Sequence, residues 1–117
     1  MNVLMLYPEF PDTFWSFKYA IKFVNKKAVN PPLGLITVAA LLPKVWNKRL
    51  IDLNINPLTK KDLEWADLVM VSAMDVQRAS VKKVIATCKE AGLKVCAGGP
   101  LFTEDYQNFP NVDYFVL

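Results

Sequence analysis

The chain of 117 residues contains no histidine. A histidine general base, a histidine metal ligand and a histidine-based pH switch are therefore excluded within it. Cysteine is scarce too: Cys88 and Cys96 stand alone, with no CxxC or CxxxCxxC run. Neither a zinc nor an iron–sulfur site can be read from that spacing. Both thiols read as small buried apolar residues in a reducing compartment. No apolar run approaches the roughly 18 residues that a membrane helix needs. The opening MNVLMLYPEF lacks the basic-then-apolar order of a signal peptide, so a cytoplasmic location is expected. A net charge of +3 is too small to imply nucleic acid.

What is present points to a packed domain. The composition is 53% hydrophobic and 21% charged, which supports a buried core and argues against global disorder. The length fits one domain over residues 1–117. Residues 2–6 (NVLML) read as a buried first strand. Pro31 and Pro32 open the run LGLITVAALL, which Pro43 closes, so a buried helix with clear ends is expected there. Residues 49–53 (RLIDL) read as a second strand and 59–65 as a short helix, with Thr59 as N-cap and Asp62 three residues on. Residues 68–72 (LVMVS) form a third strand. In residues 78–91, Val81, Val84, Ile85 and Cys88 follow helical spacing and Gly92 ends the helix. Residues 94–97 (KVCA) read as a fourth strand, 102–109 as a possible helical turn and 113–117 (DYFVL) as a fifth strand.

Strand and helix alternate throughout. That order implies an α/β, flavodoxin-like (Rossmann-like) doubly wound sheet of five parallel strands, in the order 2-1-3-4-5. A further helix normally follows the last strand of such a sheet. Its lack here leads to the expectation of a longer natural chain, and of self-association through the apolar fifth strand.

Ligands of open parallel sheets bind outside the carboxyl ends of the strands. Three loops there carry unusual residues. Gly98-Gly99-Pro100 follows the fourth strand; glycine allows close approach of a ligand, although a tight turn would use it too. Ser72-Ala73-Met74 ends the third strand, where the hydroxyl can meet a ligand or cap a helix. Asn30-Pro31-Pro32-Leu33-Gly34 opens the first helix, where Gly34 leaves room for a close neighbour or for helix packing.

In combination these segments resemble the cobalamin-binding domain family. Its members carry DxHxxG before the first helix, SxL after the third strand and GG after the fourth. Here Ser72-Ala73-Met74 looks like SxL with Met for Leu, and Gly98-Gly99 looks like GG. Gly34 can stand for the last Gly of DxHxxG, but Val29 and Pro31 fall where Asp and His would be. The opening MNVLMLYPEFP and the segment NPPLGLITVAALLP are similar to the N-terminal domains of cobalamin-dependent radical-SAM proteins, a group that includes hopanoid methylases. The resemblance covers nearly the whole chain. It implies a fragment of a longer enzyme, a methyltransferase, whose downstream radical-SAM barrel holds a 4Fe-4S cluster and S-adenosylmethionine. It also implies cobalamin bound without a histidine ligand, with Pro31, Gly34, Ser72, Ala73, Met74, Gly98, Gly99 and Pro100 around it. The nucleotide tail would insert between the sheet and a helix, so a Cβ at Gly99 is expected to obstruct the ligand more than the fold.

Residues 13–27 place Phe14, Phe17, Ile21 and Val24 on one helical face, and Lys18, Lys22 and Lys26 on another. They read as an ordinary amphipathic helix, as a lid over the lower corrin face, or as a surface that docks on the barrel. A receiver domain would need an acidic pair where Leu6-Tyr7 stands, although Asp75 could pose as its phosphoacceptor. An FMN-binding module would need Ser, Thr or Gly in place of YPEFPD at 7–12. The alternative with most weight is a non-catalytic interaction domain that kept the fold and lost cobalamin.

Overall fold

The computed structural model describes residues 1–11 and 33–116. Pro31, residues 13–27 and Leu117 lie outside the described residues. Five parallel strands form one sheet in the order β2-β1-β3-β4-β5. The strands are β1 (Asn2–Tyr7), β2 (Asn47–Asp52), β3 (Leu68–Ser72), β4 (Lys94–Gly98) and β5 (Tyr114–Val116). The described helices are α1 (Leu33–Leu41), α2 (Lys60–Trp65), α3 (Arg78–Glu90) and α4 (Pro100–Asp105). The doubly wound order expected from the alternation is the order observed.

Side chains alternate between the two sheet faces, and each face has its own core. Leu4, Leu6, Val69, Val71, Val95 and Ala97 pack with α3 and α4 through Val81, Val84, Ile85, Cys88, Leu101 and Phe102. Val3, Met5 and Tyr7 turn the other way and pack with Leu35 of α1 and with Phe10. β1 is buried on both faces because it is central, which is why its sequence shows no alternation.

Local signals account for the element ends. Thr59 caps α2 in a reciprocal box: its hydroxyl accepts from the Asp62 N–H at 3.2 Å, and the Asp62 carboxylate accepts from the Thr59 N–H at 3.0 Å. All four apolar positions read for the third helix are buried in α3. Gly92 follows it at φ +79°, a left-handed turn that suits glycine.

Two expectations need correction. α1 is not a buried helix. Leu35 is covered, but Ile36 is 48% exposed, Leu41 80% and Val45, just beyond the helix, 85%. Only one side of α1 meets the sheet, so a helix apolar all round leaves the other side in solvent. The helix after β4 starts at Pro100, not near Phe102. Proline fits its first turn, and Gly99 becomes the residue before it. At the far edge, Tyr114 and Val116 of β5 are 56% and 65% exposed.

Gln77 is the one fully buried polar side chain among the described residues. Its Nε2 donates to the Pro8 carbonyl at 2.6 Å, and its Oε1 accepts from the Met74 N–H at 2.8 Å. It thereby ties the loop after β1 to the loop after β3. Gln77→Ala leaves the Met74 N–H unpaired, strips the Pro8 carbonyl of the shorter of its two bonds and opens a void. A loss of about 2–5 kcal/mol in chemical denaturation is expected. A loss under about 1 kcal/mol would mean that water replaces both bonds.

Candidate functional site

The loops after β3 and β4 are joined directly. Ser72 and Gly98 are neighbours in strand register. The Ala73 N–H donates to the Gly98 carbonyl at 3.4 Å, and the Leu101 N–H donates to the Ala73 carbonyl at 3.1 Å. Ala73 is therefore a buried structural hinge between the loops. The Thr103 N–H and hydroxyl both donate to the Gly99 carbonyl at 3.1 Å, which seats α4 on the glycine loop.

Gly99 holds φ +95°. A Cβ there would lie 2.8 Å from the Ser72 Oγ and 3.1 Å from the Ala73 carbonyl oxygen. Glycine is required at this point for both its conformation and its contacts. Gly98 is extended in β4, and a Cβ on it would stand 3.0 Å from the Val116 carbonyl oxygen across the sheet. Gly34 differs from both. A Cβ there would meet only the Ser72 Oγ, at an ordinary 3.7 Å.

These residues surround one cavity of about 250 Å³ between α1 and the sheet. Gly34 and Val38 of α1 form one wall. Met70, Ser72, Cys96, Gly98 and Val116 form the sheet side. Of the eight residues singled out in the sequence, Gly34, Ser72, Gly98 and Gly99 line this space. Three others stand outside it. Ala73 is buried behind the loop, Met74 packs against the core beneath α1, and Pro100 begins α4. The eighth, Pro31, lies outside the described residues.

The cavity is almost wholly apolar, with one hydroxyl at its end. Ser72 does not cap a helix: it ends β3, and Met74 and Gln77 precede the following helical turns. Its hydroxyl engages no hydrogen-bond partner among the described residues. Such a space suits a flat, largely apolar group with a polar edge that can meet one hydroxyl. Cys96 adds a half-buried thiol to the wall, its pKa raised by burial. Cys88, wholly buried on the opposite face, is pushed up to about 11 by the same cause. Cys96 was not singled out in the sequence as a lining residue, because its wall position depends on pairing between β4 and β5.

Among the described residues no group of three or more acidic or cysteine side chains could hold a metal ion. No described helix is long and apolar enough to cross a membrane.

No protein-family model matches the chain, and no solved structure does. Two curated proteins are similar to it. An uncharacterized methyltransferase of Synechocystis sp. is 40% identical over 120 aligned positions, taking in 100% of this chain. The hopanoid C-2 methylase of Rhodopseudomonas palustris (strain TIE-1) is 34% identical over 114 positions, or 97% of this chain. The chain spans 22% of the length of each relative. Along almost its whole length, then, the chain is similar to one part of two much larger proteins, a methyltransferase and a hopanoid methylase.

Proposed function

We propose that this chain is the cobalamin-binding part of a radical-SAM methylase, and that it holds the cofactor by its nucleotide tail with no histidine ligand to cobalt. The observation that carries the reading is the cavity that gathers Gly34 of α1, Ser72 at the end of β3, and Gly98 and Gly99 at the end of β4. The residues fit the group in three respects. The walls are apolar, as a flat aromatic base requires. The Ser72 hydroxyl lines the cavity and has no hydrogen-bond partner among the described residues. Gly34 leaves its part of the wall without a side chain, facing the Ser72 Oγ. The two relatives support a methylase-related role for the whole protein.

In this reading α1 and the sheet sandwich the tail, and Ser72 hydrogen-bonds its polar edge. Gly34 and Gly98 keep the channel open, while Gly99 turns the chain out of its way. Cobalamin would supply the methyl-carrying chemistry, and the domain would hold and orient it. The 4Fe-4S cluster and S-adenosylmethionine would belong to a barrel outside this chain.

Cys96 offers a test that needs no enzyme activity. Alkylation at mildly alkaline pH should label Cys96 and spare the wholly buried Cys88. Saturating cobalamin should slow Cys96 labelling about tenfold or more, since the tail covers that wall. Labelling unchanged by cobalamin that is bound would place the tail elsewhere. Protein that binds no cobalamin at all would favour an interaction domain that kept the fold alone.

A further inference from the structure

A hollow of about 500 Å³ lies between the loop 53–58 and α3, on the face of the sheet opposite α1. Its size falls within the range of small-molecule clefts, roughly 300–1,000 Å³. Leu53, Leu58 and Val84 give it an apolar floor that continues into the core. Glu9, Ser80 and Lys83 give it a polar rim, and a neighbouring hollow of about 280 Å³ shares all three.

The rim is fixed by bonds from two other parts of the chain. The Glu9 N–H donates to Ser80 Oγ at 2.8 Å. The Pro8 carbonyl beside it accepts from Gln77 Nε2 at 2.6 Å and from Asn54 Nδ2 at 3.2 Å. The Phe10 N–H donates to Asn54 Oδ1 at 2.8 Å, and the Asp52 carboxylate holds Asn54 in turn at 2.9 Å. The backbone at Glu9 is thereby set against both α3 and the loop 53–58. Polar groups held at a fixed spacing lose little freedom when a ligand binds them.

The rim carries both signs of charge. Glu9 offers a carboxylate and Lys83 an ammonium, and neither forms an ion pair among the described residues. Ser80, having accepted from Glu9, keeps its own proton to donate. A ligand of one charge meets one favourable and one opposing group here. A zwitterion meets two favourable ones. Its ammonium faces Glu9, while its carboxylate faces Lys83 and accepts from the Ser80 hydroxyl. The floor of Leu53, Leu58 and Val84 then calls for an apolar group attached to the same ligand.

We infer that this hollow binds a free α-amino acid with an apolar side chain, held through Glu9, Ser80 and Lys83. The inference does not rest on the cobalamin reading, and either can fail alone.

The test uses this chain without any cofactor. Leucine, methionine and phenylalanine are titrated into it by calorimetry. At least one should bind saturably with a Kd below about 1 mM. Its N-acetyl derivative lacks the ammonium and its amide lacks the carboxylate, so each should bind about tenfold more weakly. Glu9→Gln and Lys83→Met alter exposed side chains, keep the backbone bond to Ser80 and should leave the melting temperature unchanged. Glu9→Gln should weaken the amino acid about tenfold and leave the N-acetyl form at its wild-type affinity. Lys83→Met should weaken the amino acid equally and leave the amide at its wild-type affinity. No binding of any of the three amino acids below that Kd overturns the inference. So does a derivative that binds as tightly as its parent, or a variant that binds the parent as the wild type does.

Discussion

Gly34→Leu should lose cobalamin affinity by roughly a hundredfold or more, because a block in the channel removes the whole tail contribution. Its melting temperature should stay the same or rise slightly. A Cβ at Gly34 has room, with Ser72 Oγ at 3.7 Å as its nearest neighbour. The rest of the leucine side chain must then extend into the cavity that Gly34 lines. Replacing a helical glycine also recovers up to about 1 kcal/mol of backbone entropy. Binding and stability should therefore move in opposite directions. Calorimetric titration and a thermal melt on the same sample check this. Retained binding would place the nucleotide tail outside this cavity. A large fall in melting temperature would mean that α1 cannot accept the side chain where it stands.

Gly99→Val should do the reverse of what the sequence suggests. The resemblance implies a side chain there that obstructs the ligand more than the fold. The structure puts φ at +95° and the new Cβ 2.8 Å from Ser72 Oγ, with Ala73 backbone at 3.1 and 3.2 Å. A β-branched residue pays for the left-handed conformation and then collides with backbone that cannot move aside. About 3 kcal/mol or more should be lost, which lowers the melting temperature by about 10–20 °C in a domain of this size. Binding falls as well, so Gly99 cannot separate ligand from fold. A melt within about 2 °C of wild type would show that the loop relaxes around the new side chain.

The contrast between these two glycines shows where sequence reasoning reaches and where it stops. The alternation of strands and helices was readable, because central strands such as β1 lose their polar positions and helices such as α3 keep a 3.6-residue period. The capping box of Thr59 and Asp62 was readable because both partners lie within one turn. Ser72, Gly98 and Gly99 were readable as strand-end residues, but not their geometry. Nothing in GGP tells which glycine carries the positive φ.

What could not be read depends on partners far apart in the chain. Gln77 bonds to Pro8 across 69 residues, and no local pattern marks it. Asn54 and Ser80 hold the loop after β1 in the same way, from 44 and 71 residues away. α1 misled for a different reason. An apolar run bounded by prolines predicts burial on all sides, whereas burial depends on what stands against each side. Cys96 joined the cavity wall only once β4 and β5 were paired.

The central claim is that this domain binds cobalamin without a histidine ligand, and titration with hydroxocobalamin tests it most directly. Calorimetry and absorbance should be followed together, on this chain and on any longer chain of which it is a part. The expected result is saturable one-to-one binding, with a cobalt spectrum that lacks the signature of a protein nitrogen ligand. Failure to bind, or a spectrum with a side-chain nitrogen on cobalt, would contradict the account.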